Sequence, residues 1–279
     1  MELNALPQEK MVEKVRRLCE QDNRVIAAVM YGAFTKNEGD EFSDIEFYLF
    51  FKEDAIDQLD FEAWLSQITP LEVFFVDEFG NSVAIFENLI RGEFHFEKAS
   101  AMAQLSNWKQ NVWVSDVKSM LILDRTGELA RYLSDLIGPA PDRSSPENIN
   151  SLCNNFLNWI VFGTNVLKRG ERARALELLW FVHRNLLKMV RVVEGKIEHY
   201  PTPSKRLEQD ISKASYKRFT KCTSSLEKAE SLENAYIASW TWGRELMSEF
   251  SKSHKIELRE MLINKIDHRL TQWFDSNFT

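Results

Sequence analysis

The sequence is poor in cysteine, in net basic charge and in long apolar runs, and each shortage excludes a class of protein. Its three cysteines, Cys19, Cys153 and Cys222, are far apart and odd in number, which fits neither a disulfide framework nor the ligand spacing of a zinc site. We therefore expect a reducing, cytoplasmic location. The formal net charge of −7 leaves no basic excess for phosphate contacts, so we expect no nucleic-acid partner.

Several targeting and binding signals are also missing from the sequence. No apolar segment approaches the ~20 residues that a membrane span requires. Residues 1–4 do not begin a basic stretch followed by an apolar run, so we expect neither a membrane partner nor a signal peptide. The Gly-Lys-Ser/Thr ending of a P-loop and the dinucleotide-binding glycine pattern are absent too. At 279 residues, 44% hydrophobic and 28% charged, the chain is long enough for two globular domains.

The first half of the chain alternates short apolar strands with helical segments. Apolar residues at a spacing of two predict strands, and apolar residues at a spacing of three and four predict helices. The predicted strands are 25–31, 45–51, 72–76, 83–86, 91–96 and 120–123, and the predicted helices are 8–20, 56–68 and 126–137, the last capped by Thr126.

A stretch of proline, glycine and hydroxyl residues, Gly138 to Pro146, divides the sequence in two. Beyond it the apolar residues repeat with the period of a helix. We therefore predict a first domain over residues 1–141 and a helical bundle over residues 146–279. The predicted helices of the bundle are 146–168, 172–194, 204–227, 232–251 and 255–274.

Two acids open the second predicted strand. Asp44 and Glu46 are two residues apart, so their side chains point to the same face, roughly 6.7 Å apart along the backbone. Two carboxylates at ~4 Å repel each other by about 4 kcal/mol if the effective dielectric constant is about 20. A hard divalent cation that takes oxygen ligands would relieve this repulsion, so the pair is a candidate metal site.

A glycine-containing loop and a third acid extend this candidate site. Gly32 and Gly39 let main-chain N–H groups approach phosphate oxygens closely. Glu93 lies on the strictly alternating strand 91–96, with His95 on the same face, although alternation alone equally favours an edge strand with a solvated polar face. The acids and the loop together suggest metal-assisted phosphoryl chemistry, and the rival interpretation is an acidic rim.

These residues carry a resemblance to a known family. Gly32-Ala33, followed after nine residues by Ser43-Asp44-Ile45-Glu46, is similar to the signature of the DNA polymerase β-type nucleotidyltransferases. More narrowly, the segments 30–48, 89–96 and 165–177 resemble the bacterial lincosamide nucleotidyltransferases of the larger, two-domain type.

The resemblance implies an α+β fold, in which a nucleotidyltransferase domain with a mixed β-sheet flanked by helices precedes the C-terminal helical bundle. It also implies an enzyme that uses Mg²⁺ and ATP, and that transfers AMP to a hydroxyl of a small antibiotic with release of pyrophosphate. The expected acceptor is a lincosamide such as lincomycin or clindamycin. Homodimers are common among similar enzymes, so the resemblance allows a homodimer without deciding the oligomeric state.

The resemblance also assigns roles to particular residues. Asp44 and Glu46 would hold the metal, and Glu93 would take the proton from the attacking hydroxyl or share a metal. The implied nucleotide-binding residues are Gly32, Ala33, Thr35, Lys36 and Ser43 in the loop, together with Lys168 and Arg169 as a cationic wall for the triphosphate. The simpler interpretation of these last two cations is favourable placement at a helix C-terminus.

Ala33 departs from the family pattern, because the superfamily has serine at this position. The lost phosphate contact costs about 1–3 kcal/mol unless Thr35 or Lys36 replaces it.

Two alternatives to a lincosamide enzyme stay open: an aminoglycoside acceptor, or a non-catalytic nucleotide-binding or antitoxin-like module on the same fold. An aminoglycoside is a polycation that needs several acids around it, whereas the 19 phenylalanines and 8 tryptophans favour a less charged acceptor. The three retained acids argue against the non-catalytic module.

Overall fold

The structure is a computed structural model that describes residues 5–228, 230–254 and 256–274. The chain divides into two compact units, Met1–Pro141 and Asp142–Thr279. The first unit combines a mixed sheet with helices and the second is helical, so the predicted α+β fold class is confirmed.

Six strands form one sheet in the first unit. They are β1 (Val25–Tyr31), β2 (Ile45–Phe51), β3 (Leu71–Val76), β4 (Ser82–Phe86), β5 (Arg91–Lys98) and β6 (Leu121–Asp124). Their order across the sheet is β3-β4-β5-β2-β1-β6. The pair β2–β5 is parallel and the other neighbouring pairs are antiparallel. The two central strands therefore start at the same end of the sheet.

The two faces of this sheet are covered differently. Helix α1 (Pro7–Gln21) packs against one face through Met11 and Val15, in a core that also contains Phe47 and Phe94. The 3₁₀ segment Ala99–Gln110 and helix α3 (Glu128–Ser134) bury apolar residues of the other face. Helix α2 (Phe61–Leu65), which lies between β2 and β3 in the chain, packs into the same core as α1.

Two helix predictions in this unit need correction. The predicted helix 56–68 is a 3₁₀ turn, Ile56–Gln58, followed by the five-residue α2. The extended backbone of Leu59 ends the turn, and Asp60 starts a new helix because its side chain accepts the N–H of Ala63 as an N-cap. The predicted helix 126–137 is the shorter α3, where the Thr126 hydroxyl accepts the N–H of Glu128 and Asp124 accepts those of Gly127 and Ala130.

The second unit is a bundle of helices around one core. Its helices are α4 (Pro146–Lys168), α5 (Arg172–Val193), α6 (Leu207–Asp210), α7 (Lys213–Cys222), α8 (Ser231–His254) and α9 (Glu260–Phe274). Phe156 on α4 and Tyr236, Trp240 and Phe250 on α8 are buried in that core. A side chain on Gly163 would overlap the Tyr236 ring, so α4 and α8 pack closely because this residue is glycine.

The predicted helix 204–227 is wrong as a single element. It is divided into α6 and α7, because Ser212 has an extended backbone and caps α7 by accepting the N–H of Ser215. The Glu194 carboxylate in turn accepts the backbone N–H of Ser212. The predicted start of the last helix, Lys255, lies outside the described residues, and the helix observed there begins at Glu260. Within the described part of the chain, no helix has the length and apolarity needed to cross a membrane.

Candidate active site

Three acids lie on one face of the sheet, at the end where β2 and β5 begin. Asp44 directly precedes β2, Glu46 is on β2 and Glu93 is on β5. In the parallel register, Glu46 pairs with Glu93. Alternation along a strand gives Asp44 the same side as Glu46, and the opposite side holds the buried Ile45 and Phe47. The sheet therefore brings together the three carboxylates that the sequence suggested.

Arg91, which the sequence analysis did not single out, connects two of these acids. Its Nη1 lies 2.9 Å from Oδ2 of Asp44 and its Nη2 lies 2.7 Å from Oε2 of Glu93. Burial acts to lower the pKa of Arg91, but the contacts with Glu93 and Asp44 outweigh it and the pKa is raised. The guanidinium is therefore a permanent cation between two acids.

Tyr31 and His95 complete the surroundings of Glu93. The Tyr31 hydroxyl donates to Oε1 of Glu93 at 2.9 Å, and Nε2 of His95 lies 3.0 Å from that hydroxyl and 3.3 Å from Oε1. Burial acts to raise the pKa of Glu93, but hydrogen bonds from Arg91, Tyr31 and His95 lower it overall. Burial lowers the pKa of His95, so its ring is neutral at neutral pH. Glu93 is therefore an ionised carboxylate held in a fixed position.

Aromatic side chains pack together beside the Glu93 carboxylate. The His95 ring stacks on Tyr48 with centroids 3.9 Å apart and planes within 8°. Trp108 meets Tyr48 edge-on at 4.8 Å and Tyr31 at 5.8 Å. Burial, followed by the charges of Glu93 and Glu46, raises the pKa of Tyr31, so its hydroxyl stays protonated and can keep donating.

Gly32 fixes where Glu46 lies. Its φ is +83°, a left-handed conformation that residues with side chains adopt at a cost. A Cβ built on Gly32 would overlap Oε2 of Glu46. In addition, Tyr31, the residue before it, pairs with Glu46 across β1 and β2. The glycine is therefore required both for the turn after β1 and for the close approach of the carboxylate.

The other loop residues predicted to bind nucleotide have contacts with groups of the first unit. Thr35 is buried and its hydroxyl donates to the carbonyl of Gly32 at 2.8 Å. The Ser43 hydroxyl donates to Oδ1 of Asp40 at 2.9 Å and accepts the Asp40 N–H. Lys36 has its ammonium 4.4 Å from the centroid of the Trp113 ring. At Ala33 the helical backbone starts a 3₁₀ turn and the carbonyl accepts the N–H of Lys36.

The two predicted cations of the helical unit, Lys168 and Arg169, are both exposed at the end of α4. The Lys168 ammonium donates to the carbonyl of Trp273 at 3.0 Å and lies over the rings of Trp273 and Phe274. Arg169 lies 4.0 Å from Glu171. Both side chains thus contact neighbours of their own unit, and their role toward a nucleotide stays a prediction.

The donor chemistry of the three acids suits a divalent metal. Mg²⁺ prefers oxygen ligands, and Asp44, Glu46 and Glu93 provide carboxylate oxygens from adjacent positions of two strands. Over residues 5–228, 230–254 and 256–274, no group of three or more His, Cys, Asp or Glu side chains is arranged to hold a metal ion. In the observed arrangement the Arg91 guanidinium lies between Asp44 and Glu93.

A cavity of about 540 Å³ opens beside Asp44 and Arg91. Two exposed apolar side chains line it, Phe42 at 87% and Leu89 at 81% exposure. Leu89 has a φ of +61°, which costs a branched residue about 1–2 kcal/mol. The buried Gln8 also lines the cavity, and its Oε1 has no hydrogen-bond partner among the residues that the structure describes. The cavity combines apolar edges with polar groups beside the acids, as small-molecule sites commonly do.

The helical unit matches a known family. Residues 145–269 fit the family model described as lincosamide nucleotidyltransferase-like, C-terminal domain. With the mixed sheet and its acids, this match supports a nucleotidyltransferase activity. The matched residues lie in the helical unit, which is therefore similar to the C-terminal domain of lincosamide nucleotidyltransferases. Among curated proteins, none matches the sequence.

Two solved structures resemble the chain at low identity. One is a crystal structure of an aminoglycoside 6-adenyltransferase from Bacillus subtilis, with 14% identity and a TM-score of 0.42, covering 98% of this chain and 99% of that chain. The other is a nucleotidyltransferase-like protein from Exiguobacterium sibiricum, with 12% identity and a TM-score of 0.40, covering 86% and 78%.

Proposed function

We propose that the protein transfers AMP from ATP to a hydroxyl of a small antibiotic, most simply a lincosamide, and thereby confers resistance. The observation that carries this proposal is the environment of Glu93, an ionised carboxylate held by Arg91 and Tyr31 and paired in register with Glu46. An ionised carboxylate can accept a hydrogen bond from the attacking hydroxyl and take its proton as the new bond to phosphorus forms.

The chain's own residues divide the reaction between them. Asp44 and Glu46 would hold Mg²⁺, which when bound neutralises charge on the phosphate oxygens. The acceptor hydroxyl attacks the α-phosphorus, its proton goes to Glu93, and the bond from the α-phosphorus to the pyrophosphate oxygen breaks. The backbone N–H groups that follow Gly32 would orient the phosphates, since Ala33 provides no hydroxyl. We assign this chemistry to the unit Met1–Pro141.

The cavity beside Asp44 supports the choice of a lincosamide acceptor. Phe42 and Leu89 give it exposed apolar edges, whereas Glu41 and Asp44 are its acids. A lincosamide has one amine and an apolar side chain, which suits this mixture. An aminoglycoside is the second candidate, and its several amines would need more acids than the two that line this cavity.

The test is an acceptor panel. Purified protein is incubated with Mg²⁺, labelled ATP and either lincosamides or aminoglycosides, and products are analysed by mass spectrometry for addition of one AMP. We expect AMP on a lincosamide, with one pyrophosphate released per product. Modification of aminoglycosides alone would overturn the acceptor assignment. Intact nucleotide binding without pyrophosphate release from any acceptor would instead favour a non-catalytic nucleotide-binding module.

A further inference from the structure

Three cations of the helical unit lie around one buried tyrosine. The Arg143 guanidinium lies 4.7 Å, and the Lys188 ammonium 4.9 Å, from the centroid of the Tyr200 ring, which is 7% exposed. Arg184, one turn before Lys188 on α5, donates from Nη2 to the carbonyl of Pro201 at 3.1 Å, next to Tyr200. We call Arg143, Arg184 and Lys188 the cationic cluster.

The positive charge of this cluster is not balanced at Lys188. Burial lowers the pKa of Lys188, and the charges of Arg184 and Arg143 lower it further. Within residues 5–228, 230–254 and 256–274, no side chain forms an ion pair with Lys188, and its ammonium lies over the Tyr200 ring. Like charges gathered in a half-buried place disfavour one another. An anion from outside the chain would remove this repulsion.

Arg191, two turns after Arg184 on the same helix, shows how the chain neutralises a cation that serves packing. Arg191 is fully buried, lies 2.9 Å from Oδ2 of Asp210 and donates to the carbonyls of Pro203, Lys196 and Lys205. These bonds fix the loop after α5, which contains Tyr200. Arg191 pairs with a carboxylate and with backbone carbonyls. Among the described residues, Lys188 pairs with neither kind of group, so packing alone does not account for Lys188.

We propose that the cationic cluster binds a phosphate-bearing anion. Guanidinium groups present N–H donors in a geometry that matches phosphate oxygens, and the Lys188 ammonium, which forms no ion pair within the described residues, adds a compact third charge. Three positive charges suit a di- or trianion such as pyrophosphate or the phosphate chain of a nucleotide. The cluster is separate from Lys168 and Arg169, the cations that the sequence suggested for this purpose.

An exposed tryptophan extends the cluster along α5. Trp180, Arg184 and Lys188 are spaced four residues apart, which places them on one side of the helix. Trp180 is 55% exposed and lies 5.6 Å from the Arg184 guanidinium. The aromatic base of a nucleotide can stack on such an indole while the phosphates of the same nucleotide contact the cations. A nucleotide and free pyrophosphate would contact the cations in the same way. Only a nucleotide has a base that can also stack on Trp180, so this residue distinguishes the two ligands.

The test is calorimetric titration of the full chain with sodium pyrophosphate, and in parallel with ATP, without divalent metal and at low salt. We expect Lys188→Gln to weaken pyrophosphate binding at least tenfold, and Arg184→Gln to have a similar effect. Lys217→Gln is the matched control, because it removes one exposed lysine from the same unit. If a nucleotide is the natural source, Trp180→Ala weakens ATP binding but leaves pyrophosphate binding unchanged.

Thermal unfolding separates binding from a structural role. Because Lys188 is crowded by like charge, Lys188→Gln should unfold at the same or a higher temperature than wild type while it loses the anion. No pyrophosphate binding by wild type at millimolar concentration, or equal weakening by Lys188→Gln and Lys217→Gln, would overturn the proposal. Since the titration involves no turnover, its result is independent of whether AMP transfer is found.

Discussion

The carboxylate of Glu46 lies where a side chain on Gly32 would have to be. We therefore expect Gly32→Ala to displace Glu46 and to lower kcat at least a hundredfold, because a displaced carboxylate can no longer hold Mg²⁺ in place. The left-handed φ of +83° adds a strain of about 1–2 kcal/mol. Steady-state kinetics and the thermal midpoint measure the two effects separately.

Gly80 provides the matched control for this substitution. Its φ is +84°, and a Cβ there would have nothing within 4 Å. Gly80→Ala should therefore show only the loss of stability that comes from backbone strain, with unchanged kcat. Equal losses of activity in the two variants would show that strain, rather than the contact with Glu46, explains the effect.

Glu93 should be required for turnover but not for nucleotide binding. Glu93→Gln keeps a side-chain oxygen that can accept from Tyr31, but it removes the base, so kcat should fall by about 10²–10⁴-fold. Tyr31→Phe removes one hydrogen bond to Glu93 and should reduce kcat by only about fivefold to tenfold. Fluorescence titration with ATP should give similar Kd values for all three proteins. A loss of less than tenfold in Glu93→Gln would exclude a role as general base.

Arg91 should compete with a divalent cation for Asp44 and Glu93. Arg91→Gln removes two partly exposed ion pairs, each worth about 0.5–1 kcal/mol. We therefore expect Mn²⁺ to bind roughly fivefold to tenfold more tightly to the variant in calorimetric titration. The control is Arg24→Gln, which removes the Arg24–Asp22 pair in the same unit and should leave the Mn²⁺ affinity unchanged. Weaker Mn²⁺ binding would mean that Arg91 positions the carboxylates instead.

The sequence indicates which acids gather on the sheet, but not how they are held. The spacing of Asp44 and Glu46 predicts a shared face, and the same alternation relates Arg91 to Glu93, so Arg91 could have been recognised from its position. Tyr31 could not, because an aromatic residue at the end of an apolar strand equally predicts core. Its role depends on the pairing of β1 with β2 and of β2 with β5, which local patterns do not determine.

Long-range contacts also explain where sequence analysis fails in the helical unit. Lys168 ends a helix and therefore has the pattern of an available cation, yet it donates to the carbonyl of Trp273, 105 positions away. The cationic cluster joins Arg143, before α4, with two residues of α5 and a loop tyrosine. No periodicity connects these segments, so only the packed fold reveals their proximity.

His183 should make stability depend on pH. Its Nε2 lies 2.8 Å from the carbonyl oxygen of Cys222, and burial lowers its pKa despite this hydrogen bond. As pH falls below about 6.5, the unfolded chain takes up the proton first, so the folded state loses stability by up to about 1.4 kcal/mol per pH unit. The stability that the neutral His183 side chain contributes is fully present above about pH 6.5. His183→Gln should therefore make the thermal midpoint less dependent on pH between 5.5 and 7.5. His268→Gln, at an exposed position of α9, should retain the wild-type dependence, and identical profiles for the two variants would contradict the assignment to His183.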